Sequence, residues 1–167
     1  MSRDQSARPP SIMEEIRQSK PFRSRSQEAC LALLRTADDS KRYITRVLEP
    51  AGVTLQQYNV LRILRGAGKS GLPTLALAER MLERTPGVTR LIDRMEKKHW
   101  VERSRCTEDR RRVWCKITPS GLSLLESLDQ PMNEADDVFQ EILDEEELGG
   151  LIAYLARARA HLNRTEG

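Results

Sequence analysis

Two groups of side chains in this chain carry the chemistry of nucleic-acid contact. The first is Thr85, Gly87, Thr89 and Arg90, at the start of an amphipathic stretch. A threonine hydroxyl donates and accepts, its methyl can touch a thymine methyl, and an arginine fork matches the two acceptors on a guanine edge. Pro86 and Gly87 keep this end slim, and Arg84 and Arg94 extend its positive charge. If the stretch is a helix, its N-terminus adds backbone N–H groups and a partial positive charge for a phosphate. The second group is Asp109-Arg110-Arg111-Arg112. Asp109, two residues before Arg111, is spaced to pair with it and fix its guanidinium. An arginine aligned in advance loses less entropy on entering a narrow minor groove.

These groups need elements to hold them. Val88, Leu91, Ile92 and Met95 form an apolar stripe at helical spacing, which leaves Thr89, Arg90, Asp93, Arg94 and Lys97 mostly outward. Thr85 reads as the N-cap of that helix and Pro86 as its first helical residue. The runs 100–106 and 112–117 contain β-branched residues and flank the charged turn, so they read as a hairpin. A helix suited to the major groove followed at once by an arginine-tipped hairpin is the plan of a winged helix-turn-helix.

Upstream, Ser11–Ser19 reads as a short helix ended by Lys20-Pro21. Ser24 with Gln27 forms a capping-box pattern for a long helix up to Pro50-Ala51-Gly52. Thr54 caps the next helix, which Gly66, Gly68 and Gly71 end, and Leu75–Leu82 forms a compact helix. Downstream, Thr118-Pro119 starts a helix to about Leu143 with Pro131 as a kink or interruption. Asp144 with Glu147 opens a last helix to about Arg164. The expected fold class is mainly α with a small β-hairpin (α+β). A polar tail and short helix occupy 1–23, a winged helix-turn-helix occupies 53–118, and helices in 24–52 and 119–164 are assigned to dimerisation.

The formal net charge of +3 over 167 residues hides a strong asymmetry. Arg80–Arg112 holds eleven basic residues against six acidic ones, while Glu126–Glu147 holds ten acidic residues and no basic one. One part attracts a polyanion and another repels it. With two Trp, three Tyr and two Phe the chain is light in large core residues, which favours completing the core with a second copy. No apolar run has the length of a signal peptide or a membrane span, and Cys30, Cys106 and Cys115 match no metal-ligand spacing. A reducing cytoplasm and no cofactor are expected.

The pattern Thr54-x-x-Gln57-Tyr58, the helix from Val88 to Glu96, the wing with Asp109-Arg110-Arg111 and the closing Ile117-Thr118-x-x-Gly121 together resemble the MarR family. The likeness covers about residues 25–163. It implies a bacterial winged-helix transcriptional regulator that is an obligate homodimer, clasped by the first helix and the last two. Each subunit would present one recognition helix and one wing to a half-site of palindromic double-stranded DNA. The resemblance also implies that Asp109 holds Arg111 at the minor groove, that the protein is most often a repressor, and that a small anionic or aromatic ligand releases it. Cys30 resembles the peroxide-reactive cysteine of one branch, with the same 28-residue step to Tyr58. Ile44 and Leu55 stand where that branch has activating tyrosines, so a small apolar residue at the dimer interface is the better reading. A protein-interaction adaptor on the same fold is disfavoured by the arginine triplet. An enzyme is disfavoured because no Cys/His pairing is legible and the acidic residues are spaced like a solvated helix face.

Overall fold

Side-chain caps start most of the helices. A computed structural model describes residues 8–83, 87–105 and 113–165. The chain divides into two units, Met1–Tyr43 and Ile44–Gly167, and the boundary falls inside one helix. In the first unit, Ser11 and Glu14 cap the short helix α1 (Ile12–Glu15) reciprocally. Helix α2 (Arg25–Leu48) is capped as the sequence suggests, with the Gln27 N–H donating to Ser24 Oγ at 3.2 Å. The return bond differs from a standard box, because Gln27 Oε1 accepts from the Arg23 N–H at 2.8 Å. Over its whole length α2 buries only Leu48, so Leu33 and Leu34 stay exposed.

The second unit begins where α2 breaks at Glu49-Pro50-Ala51, a 3-10 turn closed by Gly52. Helix α3 (Leu55–Ala67) starts at the expected N-cap Thr54, which also forms a full capping box with Gln57, with bonds of 3.2 and 3.0 Å. A two-residue strand β1 (Leu72–Pro73) leads into α4 (Thr74–Arg80), and α5 (Val88–Lys97) follows. Strands β2 (Val101–Arg105) and β3 (Val113–Ile117) form the wing, and β1 adds an edge to it, in the order β1-β3-β2, all antiparallel. The edge strand was not expected. Two residues carry no alternation, and Pro73 has no N–H to give a ladder, which restricts it to an edge.

Helix α6 (Pro119–Asp136) is capped by Thr118 and continues five residues past Pro131. It stops at Asp136 and not near Leu143, as the sequence suggested. Its last turn carries no basic residue, and Glu134, Asp136 and the C-cap Asp137 oppose the negative end of the helix dipole. Helix α7 (Glu145–Thr165) starts at the Asp144–Glu147 box. The core packs Leu61 and Leu64 of α3, Leu77 of α4, Leu91, Ile92 and Met95 of α5, Val101 and Cys115 of the wing, and Leu125 of α6. By contrast α7 buries none of its described residues, and Ile152, Tyr154 and Leu162 stay exposed. No described helix is long and apolar enough to cross a membrane.

Candidate nucleic-acid interface

Helix α5 is built as a two-sided element. Val88, Leu91, Ile92 and Met95 are buried, while Thr89, Arg90, Arg94 and Lys97 are exposed. The described helix begins at Val88 with Gly87 as its N-cap, and the start expected at Thr85 and Pro86 lies outside the described residues. Gly87 has φ +97°, a left-handed conformation that a helical residue cannot adopt and that glycine takes without a Cβ penalty. Among the described residues no side chain caps this end, beside Thr89 and Arg90. Helix start and exposed base-reading candidates therefore coincide at Gly87, Thr89 and Arg90.

A rigid corner joins α5 to the wing. His99 adopts φ +58° just past the helix end, and its carbonyl accepts from Thr118 Oγ1 at 2.6 Å. The same hydroxyl accepts from the Gly121 N–H at 3.0 Å, and the Thr118 N–H donates to the Trp100 carbonyl at 3.1 Å. Gly121 lies against that carbonyl so closely that a Cβ there would sit 2.2 Å from the Trp100 oxygen. Lys98 stacks its ammonium 4.2 Å from the Trp100 ring centre, closing the outside of the corner.

A side chain that sequence reasoning did not single out ties the wing back to the helix. Arg103 on β2 directs Nη1 to Asp93 at 2.7 Å, and Nε and Nη2 to one Glu96 oxygen at 3.0 and 2.5 Å. The guanidinium holds the Glu96 carboxyl below the usual carboxylate range, chiefly through that hydrogen bond. A signal was present: two carboxylates three residues apart on a basic helix call for a cation from elsewhere. Arg103 also borders a cavity of about 690 Å³ between α4, the start of α5 and the wing strands, with Thr74, Leu75, Glu79, Thr89 and Val113.

The fold is shared with known regulators. The family model described as MarR family matches residues 53–113. A MarR transcription factor from Planctomyces limnophilus is 35% identical, with 87% of this chain and 99% of that one covered and a TM-score of 0.61. The chain belongs to the MarR family. The MepR–DNA complex of S. aureus is 27% identical, covers 78% of this chain and 96% of its own, and has a TM-score of 0.72. NadR in complex with 4-hydroxyphenylacetate is also 27% identical, covers 83% and 97%, and has a TM-score of 0.66.

Within this MarR-family frame the remaining candidates separate. Arg84, Thr85, Pro86, Cys106, Asp109, Arg110, Arg111 and Arg112 lie outside the described residues. In the wing register Cys115 stands opposite Arg103. Cys115 is fully buried beside Thr74, with Oγ1 and Sγ 3.4 Å apart. Burial pushes its thiol above the ordinary value, against a smaller opposite effect of Thr74. Iodoacetamide is therefore expected to leave Cys115 unmodified in the native protein and to label it after denaturation, as read by peptide mass spectrometry. Cys30 is exposed on α2, and Ile44 and Leu55 are both half-buried.

Proposed function

We propose that this MarR-family regulator acts as a cytoplasmic homodimer that reads a palindromic operator and represses until a small anionic or aromatic ligand releases it. Gene control, not catalysis, is the activity. The observation that carries this reading is α5: an inner stripe locked into the core and an outer face that starts, at Gly87, with Thr89 and Arg90 exposed beside the helix N-terminus. The MepR–DNA complex supports the DNA partner, and NadR with its bound aromatic acid supports the ligand class. The cavity beside Thr89 and Arg103 is large enough for such a ligand, which would there compete with DNA for the recognition helix. The exposed Ile152, Tyr154 and Leu162 of α7 fit a surface closed by a second copy.

The test is selection from random duplex DNA at low salt. The expected product is an inverted repeat with half-sites about 10 bp apart, and recovery of no palindrome would overturn the reading. On the selected operator, Arg90→Ala should weaken binding roughly tenfold and relax one base position, the mark of base readout. Arg111→Ala should weaken binding severalfold with the dimer intact in sedimentation, and Asp109→Ala should do so more mildly. Wild-type affinity in both would remove the wing arginine from the interface.

A further inference from the structure

Seven residues, 81–87, connect α4 to α5, a longer turn than the three or four residues of a tight helix-turn-helix. The placement of the recognition helix relative to α4 depends on how this connection leaves α4. Three contacts at its start come from elsewhere in the fold. Met81 is buried in the core. The Leu82 N–H donates to Asn59 Oδ1 on α3 at 2.9 Å, and Gln56 Nε2 donates to Glu83 Oε2 at 3.3 Å. Gln56 and Asn59 stand three apart and so share a face of α3. The Leu82 side chain is 76% exposed, so this residue is held by its backbone and not by apolar packing.

We infer that Asn59 is a positioning residue for operator readout, acting through the Leu82 amide to set where Gly87 and the first turn of α5 stand. The inference rests on the DNA-reading function proposed above. It distinguishes two parts of affinity. Non-specific binding comes from charge and phosphate contact, which Asn59 does not supply. Base readout depends on placement of Thr89 and Arg90, which a loosened turn degrades. Loss of Asn59 should therefore lower the ratio of operator to non-specific affinity while the salt slope stays at its wild-type value.

The experiment titrates the full-length protein with its selected operator and with a scrambled duplex of equal length, over a salt series. Asn59→Leu is expected to lower the specificity ratio roughly tenfold, the size of one net hydrogen bond. Asn59→Asp keeps the acceptor and should retain the wild-type ratio, because its added charge affects both duplexes alike. Native hydrogen exchange supplies an arm that needs neither DNA nor a folded variant: the wild-type Leu82 amide should be protected. An unprotected Leu82 amide, a wild-type ratio in Asn59→Leu, or an equal loss in Asn59→Asp overturns the inference. Absence of operator preference in the wild type would instead overturn the DNA-reading function, and the exchange result would still judge the contact.

Discussion

Gly121→Ala is expected to destabilise the protein by about 3 kcal/mol and to lower its thermal midpoint by roughly 10 °C. The added methyl carbon would lie 2.2 Å from the Trp100 carbonyl oxygen and 2.9 Å from Ile117 Cγ1. Both distances are well inside van der Waals contact. The first neighbour is backbone, so no rotamer change relieves the overlap. That oxygen also accepts the Thr118 N–H, and Thr118 in turn caps α6 through the Gly121 N–H. Relief must therefore open the corner that sets the angle between α5 and the wing, and operator affinity should fall with stability. Gly149→Ala is the matched control. It lies inside α7 with nothing within 4 Å of an added Cβ, so alanine there should stabilise by about 0.5–1 kcal/mol. A Gly121→Ala protein that melts with the wild type would refute the close approach.

The parts of the fold that were legible in the sequence are those set by neighbours along the chain. Ser24 with Gln27 and Asp144 with Glu147 mark helix starts because a cap closes within three residues, and Thr54 marks another as an N-cap. The α5 stripe and the two wing strands follow from short periodicity. Gly87 at the start of α5 takes the positive φ that glycine adopts without a Cβ penalty, a conformation that short periodicity does not signal. Pairings distant in sequence were not legible. β1 exists only because Leu72 lies beside Cys115 in space, 43 positions away. The exposed face of the site was visible as residue types (Thr89, Arg90, Arg94), whereas what aims that face was not. Asn59 on Leu82, Thr118 on His99 and Arg103 on Asp93 and Glu96 all join separate elements.

Arg103→Ala is expected to weaken operator binding roughly 50-fold, on the order of 2–3 kcal/mol, while costing only about 1 kcal/mol of stability. The two effects differ because the cluster is partly exposed in the free protein, with Arg103, Asp93 and Glu96 side chains 28%, 43% and 38% accessible. Water then screens the ion pairs, and little stability rests on them. Against DNA the same carboxylates would face phosphates with their counter-cation gone, and the wing would lose its link to α5. Arg103→Lys should recover less than half of the lost binding energy, since one ammonium cannot span Asp93 and Glu96 as the guanidinium fork does. Adding Glu96→Gln and Asp93→Asn to Arg103→Ala should restore part of the affinity if stranded charge dominates. No restoration would assign the loss to the wing position alone. The pH dependence has a definite sign. Arg103 lowers the Glu96 carboxyl in the folded state, so its contribution is complete above the ordinary Glu value of about 4.3 and disappears as pH falls through the lower folded value. The wild-type excess over Arg103→Ala should thus be constant from pH 7 down to about pH 5. A midpoint of loss within that window, in fluorescence-anisotropy titrations of the two proteins, would show that the Glu96–Arg103 pair does not hold the wing.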